Sequence, residues 1–369
     1  MIAENVISPA VSIPFSRERR FSRAGGVQWT NPIAHPDWDE QIARHNEGLS
    51  FFHTAAWAQV LTETYGFEPV YFVKEESGAV QSVLPLMEIK SALTGARGVA
   101  LPFTDTCEPL CQDKAAFPEL FRNAVELAQA RGWKYLEFRG GECFFNGRAP
   151  SLTFYRHRVE IPRDEEAFFG KLKNAGRRAI RKAEKSGVHV EISRAFTSVK
   201  QYYVLHCKSR RRHGLPPQPF YFFKNIQRHI LSKGLGFVAL ARWRDVPVAG
   251  AIFFHSGDKG IYKFGASDEA FQHVRANNLL FREAIGWFSR NGIKELDLGR
   301  TSLANEGLRR FKLGWNAREE ITGYFRFCPW QKRFVPMREE GYGWHNLVFK
   351  TLPLAASRLA GEILYRHWA

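Results

Sequence analysis

Four side chains close together in the sequence carry groups that could do chemistry jointly: Lys263, Asp297, Arg300 and Thr301. Lysine and arginine hold anions, a carboxylate can take up a proton, and a hydroxyl can donate a hydrogen bond. Such a set is useful only if the chain fixes it in one place. The surrounding residues are expected to do so. A short aromatic strand is expected over 261–264, with a turn at Gly265-Ala266-Ser267. The recurrence of Leu279, Leu280, Ala284, Ile285, Trp287 and Phe288 about once per turn predicts a helix. Asn291-Gly292 should end that helix, since both residue types tolerate positive φ. Residues 293–298 read as a buried strand, with Gly299 expected to turn the chain sharply at its tip. A strand, a helix and a strand make a right-handed crossover, so part of the sheet should be parallel. The four side chains then sit at carboxyl ends of strands, where such sheets form a ligand crevice. Tyr262 is expected to line the same crevice.

Charge narrows the partner. The chain has 369 residues, with 53 Lys and Arg against 37 Asp and Glu, a net charge of +16. This excess suits nucleic acid, phosphorylated small molecules or an anionic membrane face, unless the protein is simply a basic enzyme. Lys173, Arg177, Arg181 and Lys185 recur every four residues, opposite Leu172, Ala175, Ala179, Ile180 and Ala183. Like charges at that spacing repel. The stripe is therefore either a phosphate or nucleic-acid contact or a solvated helix face. A second cluster over 208–213, KSRRRH, favours the contact. Five cysteines without a C-x-x-C pair argue against a disulfide framework or a zinc site and suit a reducing compartment. No P-loop, G-x-G-x-x-G, G-x-S-x-G or H-E-x-x-H pattern occurs, and no metal is expected. With neither an apolar leader nor a run of membrane-spanning length, a soluble cytoplasmic protein is expected. Residues 352–365 set Leu354, Ala355, Leu359, Ile363 and Leu364 opposite Arg358, Glu362 and Arg366. Such a helix docks on its own protein, the commoner case, or lies on a membrane surface.

The chain repeats itself. AVELAQARGWKYLEF (124–138) and AIGWFSRNGIKELDL (284–298) share a helix, a glycine, a lysine and an apolar-acidic strand, Gly132 aligning with Gly292. A hairpin over 69–88 has a counterpart that aligns Val80 with Val248. An internal duplication of an α/β unit follows. The fold class expected is α/β (α+β), with two tandem domains built on mixed central sheets. A flexible basic arm is expected at 1–27, domains at 28–163 and 164–330, and a tail with an amphipathic helix at 331–369.

Segments NAGRRAIRKAEKSGV, RRRHGLPPQPFYFF, YKFGAS, ANNLLFREAI, GIKELDLGRT and LRRFKLGW, preceded by FFHTAAWAQVLTETYGFEPVYF and LPFTDTCEPL, occur in a telling order. Over roughly residues 48–330 the chain resembles the FemAB-like branch of the GNAT acyltransferase superfamily. That branch includes peptidoglycan-bridge aminoacyltransferases, and the likeness is greatest to its exopolysaccharide-associated group. The coiled-coil arm of some members is not evident. The resemblance implies two GNAT-like domains and transfer of an acyl or aminoacyl group to a cell-envelope or exopolysaccharide precursor. The donor would be aminoacyl-tRNA or acyl-CoA, with no tightly bound cofactor and no DNA partner. A phosphorylated acceptor would account for part of the positive charge, and peripheral contact with the inner membrane face is a further expectation. The Gly-rich pyrophosphate loop of ordinary GNAT enzymes is not recognisable before Asn277-Asn278-Leu279. Alternative readings are an acyl-CoA-dependent acetyltransferase of a small molecule, and a non-catalytic RNA- or membrane-surface-binding scaffold. Lys312, in RFKLGW, matches the family's F-K-x-G-[FW] lysine, which the resemblance implies stabilises a tetrahedral oxyanion. Asp297 would accept a proton, or else cap the strand end or pair with Arg300. Asp105 resembles a family loop residue lining the acceptor cleft, the alternative being a plain turn residue. Arg177, Arg181 and Arg211 are assigned to phosphate or pyrophosphate contacts.

Overall fold

The computed structural model describes residues 26–45, 48–339 and 344–368; the basic arm expected at 1–27 lies, but for its last two residues, outside them. The first half of the chain contains β1 (Val27–Thr30), α1 (Trp38–Ile42), α2 (Ala55–Tyr65), β2 (Glu68–Glu76), β3 (Ala79–Ile89), β4 (Arg97–Val99) and β5 (Leu110–Cys111). It continues with α3 (Phe117–Ala130), β6 (Leu136–Arg139) and β7 (Leu152–Glu160). The second half contains α4 (Glu165–Gly170), α5 (Asn174–Lys185), β8 (Val188–Ser193), α6 (Phe196–Arg212) and α7 (Phe220–His229). Next come β9 (Gly236–Trp243), β10 (Val246–Ser256), β11 (Lys259–Ser267), α8 (Ala276–Arg290) and β12 (Glu295–Ser302). The chain closes with α9 (Glu306–Leu313), β13 (Arg318–Cys328), β14 (Arg333–Val335), α10 (Trp344–Thr351) and α11 (Leu354–Leu364).

Local chemistry sets these boundaries. The Thr54 hydroxyl accepts from the Trp57 amide and so caps α2, and Gly66 ends it at φ +73°. Gly292, at φ +75°, follows the last turn of α8. Lys171 to Lys173 separate α4 from α5, so Arg177, Arg181 and Lys185 of the expected stripe lie on α5 and Lys173 is the residue before its first turn.

Among the described residues all fourteen strands join one sheet, in the order β1-β2-β3-β4-β6-β13-β7-β12-β11-β10-β9-β8, with β5 on β3 and β14 on β13. The repeat is visible in this order. In each half an antiparallel hairpin (β2/β3, β9/β10) leads to a strand that pairs parallel with the strand after a helix (β4/β6, β11/β12). The final strands are exchanged. β13 completes the first half beside β6, β7 completes the second beside β12, and β7 and β13 pair with each other at the centre.

Helices cover both faces. α2, α6 and α7 bury one core common to both halves, where Trp57 meets Phe222 edge-on. On the other face α3 packs on the first half, and α4, α5 and α8 on the second. Among the described residues no helix is long and apolar enough to cross a membrane.

Candidate active site

β11 and β12 pair in parallel over only three residues, Lys259 with Glu295 to Ile261 with Asp297, and then diverge. The fork opens at the carboxyl ends of both strands, where sequence placed the reactive groups. Each strand carries a bulge there, and bulges re-aim side chains. On β11 the turn expected at Gly265 is absent. The strand runs on to Ser267 with Lys263 as the extra residue, since Tyr262 opposes Phe253 and Phe264 opposes Ile252. On β12 the sharp turn expected at Gly299 is likewise absent, and the strand continues to Ser302. Asp297 opposes Arg158 and Arg300 opposes Arg156, so residues three apart share one face.

Strand alternation and the bulges together sort the expected site residues. Lys263 points to the α2/α6 face, its ammonium 5.2 Å from the Phe52 ring centre and 3.2 Å from Asp105 Oδ2. Tyr262 points the other way, its ring tilted against Phe253 and edge-on to Phe281, outside this cluster; its burial raises the phenol to about 12. Asp105 arrives from the first half on the loop after β4, where Leu101 and Phe103 both take positive φ. The Tyr324 hydroxyl donates to the Asp105 carbonyl at 2.6 Å, and Arg139 donates to the carbonyls of Leu101 and Thr104. The loop is thereby fixed against β6 and β13. Gly299, at φ +73°, lies directly beneath it, and a Cβ there would stand 3.0 Å from Asp105 Oδ2.

Lys312 reaches the fork from the opposite face. Its neighbours Phe311 and Trp315 pack on Phe281 of α8. The side chain is buried, 2% exposed, and the ammonium donates to the carbonyls of Gly299 and Arg300 at 2.9 Å each. Those carbonyls belong to the bulged stretch. Two of the three ammonium protons are thus committed. Burial pulls the lysine down to about 8, against the pull of Asp105 and Asp297 and with help from Arg300 and Lys263. Burial also lowers Lys263, while Asp105 opposes it. The Asp105 carboxyl is raised by burial, but Lys263, Arg300 and Lys312 outweigh this and hold it below its ordinary value. At neutral pH the fork therefore holds a carboxylate between cations.

Asp297 is otherwise engaged. Its Oδ2 accepts from Arg156 at 2.7 and 2.8 Å, and its Oδ1 accepts from the Gly299 amide at 2.7 Å. It serves as a strand cap and ion partner, with Arg156 in the place expected for Arg300. Arg300 is exposed, its guanidinium over Phe154 and Tyr324 at 4.4 and 5.0 Å. Arg156 also bridges to Glu108 at 3.1 Å, and burial raises the Glu108 carboxyl. Glu108, Arg156, Lys259, Asp297 and Glu320 line a cavity of about 190 Å³ beside the cluster. Arg156 and Glu108 were not anticipated. The available signal was Arg156 and Arg158 two apart in an extended stretch, which puts both on one face.

The three arginines assigned to phosphate do not converge. Arg177 and Arg181 lie on α5, which packs beside α8, and Gly176 comes within reach of Gly314 just after α9. Arg211 belongs to α6 on the opposite face, where its Nε donates to the Lys350 carbonyl under α10.

Residues 170–319 match the sequence profile described as an acetyltransferase (GNAT) domain. A search of curated protein sequences finds no match. Among solved structures, FemX superposes with a TM-score of 0.64 at 15% identity, over 79% of this chain and 94% of that one. A C-terminal domain described as that of a lysylphosphatidylglycerol synthetase from Agrobacterium fabrum gives 0.51 at 15%, over 78% and 90%. A tandem GNAT protein from the clavulanic acid biosynthesis pathway gives 0.50 at 9%, over 81% and 95%. At such identities the superpositions speak to fold, and the fold is a mixed α/β tandem GNAT arrangement. With the domain match, the chain is an acyltransferase.

Proposed function

We propose that this GNAT-fold acyltransferase moves an aminoacyl or acyl group onto an amine or hydroxyl of a cell-envelope or exopolysaccharide precursor. The observation that carries the reading is the Lys312 ammonium, buried at the fork with two protons on protein carbonyls, across from the Asp105–Lys263 pair. The acceptor's lone pair attacks the donor's carbonyl carbon, and its oxygen becomes an anion. The third Lys312 proton is aimed at that oxyanion, in a buried setting where a fixed charge acts strongly. Collapse expels the tRNA 3′-oxygen or the CoA thiolate, which leaves with a proton equivalent to the one the acceptor loses. Asp105 is the carboxylate suited to relay that proton, because both Asp297 oxygens are occupied. The donor enters from the α5/α8 side, where Arg177 and Arg181 meet its phosphates, and the acceptor from the α2/α6 side. Both candidate donors belong to the cytoplasm, and the reading carries that setting with it.

Aminoacyl-tRNA is the preferred donor, on the family resemblance and the basic α5. The domain match supports acyl-CoA as the second reading. Purified protein incubated with charged tRNA, uncharged tRNA and acetyl-CoA separates them. Saturable binding of charged tRNA that weakens in Arg177→Ala and Arg181→Ala supports the first. Binding of acetyl-CoA alone replaces it with the second. Binding of neither overturns both.

A further inference from the structure

The tail is built inside out. An amphipathic helix ordinarily buries its large apolar residues. α11 instead seats itself through its smallest ones, Ser357 and Gly361. A Cβ at Gly361 would lie 2.0 Å from the Pro217 carbonyl oxygen, so only glycine admits this approach. Tyr365 anchors the end, its hydroxyl bonded to Arg210 at 2.6 Å and to the Pro216 carbonyl at 3.2 Å. The apolar side expected from sequence is consequently divided. Leu354 turns toward the core, while Leu359 and Ile363 stand 59% and 55% exposed, in line with Ala355. α10 does the same: Asn346 and Phe349 are buried, and Leu347 and Val348 are 69% and 43% exposed. Trp368 follows at 40%.

Cations surround this face. Lys350, Arg358 and Arg366 are exposed in the tail, against Glu362 as the single acid of residues 344–368. Arg211 of α6 touches the Lys350 carbonyl. A second copy would bring equal positive charge to the face, and a chain of net charge +16 resists that. An anionic interface with an apolar interior satisfies both the stripe and the charge, and tryptophan favours such boundaries.

We propose that the outward face of α10 and α11 docks the protein on an anionic lipid surface. Leu347, Leu359 and Ile363 enter the acyl boundary while Lys350, Arg358 and Arg366 meet the headgroups. The proposal stands on the tail alone and would survive a different donor or acceptor at the fork.

The test uses the full chain and two sets of vesicles, phosphatidylcholine alone and phosphatidylcholine mixed with phosphatidylglycerol. Co-sedimentation with the mixed vesicles is expected, weakening as salt rises. A Leu359→Ser, Ile363→Ser double variant should bind about tenfold or more weakly with an unchanged melting temperature, because both side chains are already outside the core. Lys350→Gln with Arg366→Gln should lessen the preference for phosphatidylglycerol. Absence of binding to the mixed vesicles, or equal binding by the apolar double variant, overturns the proposal. So does a dimer in light scattering that the double variant converts to monomer, since the face would then join two copies.

Discussion

Substituting Gly299 by alanine adds one methyl group at the floor of the fork, and two separate costs follow. Gly299 sits at φ +73°, which an L-residue adopts at a cost of about 1–2 kcal/mol. The new Cβ also stands 3.0 Å from Asp105 Oδ2 and 3.1 Å from its Cγ, closer than carbon tolerates. Asp105 cannot simply swing aside. Lys263 holds its carboxylate, and the Tyr324 hydroxyl holds its backbone carbonyl. Contacting groups of this kind couple by roughly 0.5–3 kcal/mol. The assay is chemical denaturation of four proteins: the parent, Gly299→Ala, Asp105→Ala and the double variant. In the parent background Gly299→Ala should cost about 1.5–5 kcal/mol, the backbone term plus the coupling. With Asp105 already truncated only the backbone term of about 1–2 kcal/mol should remain. Equal costs in both backgrounds would refute the reasoning, because the first-half loop would then not rest on β12. The cycle needs no substrate, so it tests the geometry of the fork apart from the reaction assigned to it.

Lys312→Ala should lower kcat by about 10²–10³-fold with little change in KM, the signature of a group that acts on the transition state; a raised KM with kcat unchanged would show a binding role. With Lys312 near 8 and active in its protonated form, turnover should fall as pH rises through about 8, and the Asp105 carboxylate, held below its ordinary value, should add no limb near neutrality. A pH–rate profile that keeps rising past pH 9 would contradict this assignment; Lys312→Arg should move any alkaline limb upward. Asp297→Ala leaves Arg156 with one carboxylate fewer in a buried site and should destabilise by about 3 kcal/mol, read from denaturant midpoints. His53 and His206 are buried and neutral, burial lowering them to about 4 and about 3. Their folded values lie below the unfolded one, so this stability is intact above about pH 6.5 and is lost as pH falls through 4, at about 1.4 kcal/mol per pH unit for each ring. His206→Gln should flatten that slope, whatever it does to stability at neutral pH.

Much of the scaffold was legible because its signals are local. Leu279 to Phe288 repeat at helical spacing, Thr54 can cap a helix, and Gly132 and Gly292 mark equivalent turns. The parallel pairing of β11 with β12 followed from a strand, a helix and a strand in succession. What stayed hidden depends on partners far away in sequence. Gly299 looks like a turn, because a positive-φ glycine inside a bulged strand and one at a strand end leave the same letter. Lys263 and Tyr262 looked like neighbours in one crevice, but strand alternation puts these adjacent side chains on opposite faces. Asp297 was readable as a cap or ion partner as well as a proton acceptor, but not its actual partner, because Arg156 lies in the other half of the chain. The exchange of β7 and β13 leaves no local mark, since either strand would alternate in the same way beside either neighbour. In the tail, periodicity identified a helix but not which side faced in; Gly361 beneath the Pro217 carbonyl decided that.

The exchange also orders events during synthesis. β6 ends at Arg139, and the strand that covers its open edge, β13, begins at Arg318. A ribosome adding about 5–20 residues per second needs on the order of ten to thirty-five seconds to span that interval. Throughout it the nascent first half presents bare backbone donors and acceptors along β6, the kind of edge that recruits strands from other chains. β7 meanwhile waits for β12. β12 can pair with the waiting β7 once it emerges, but the edge of β6 stays open until β13 follows, so the nascent chain passes through a long interval as a template for mispairing before the last strand closes the first half.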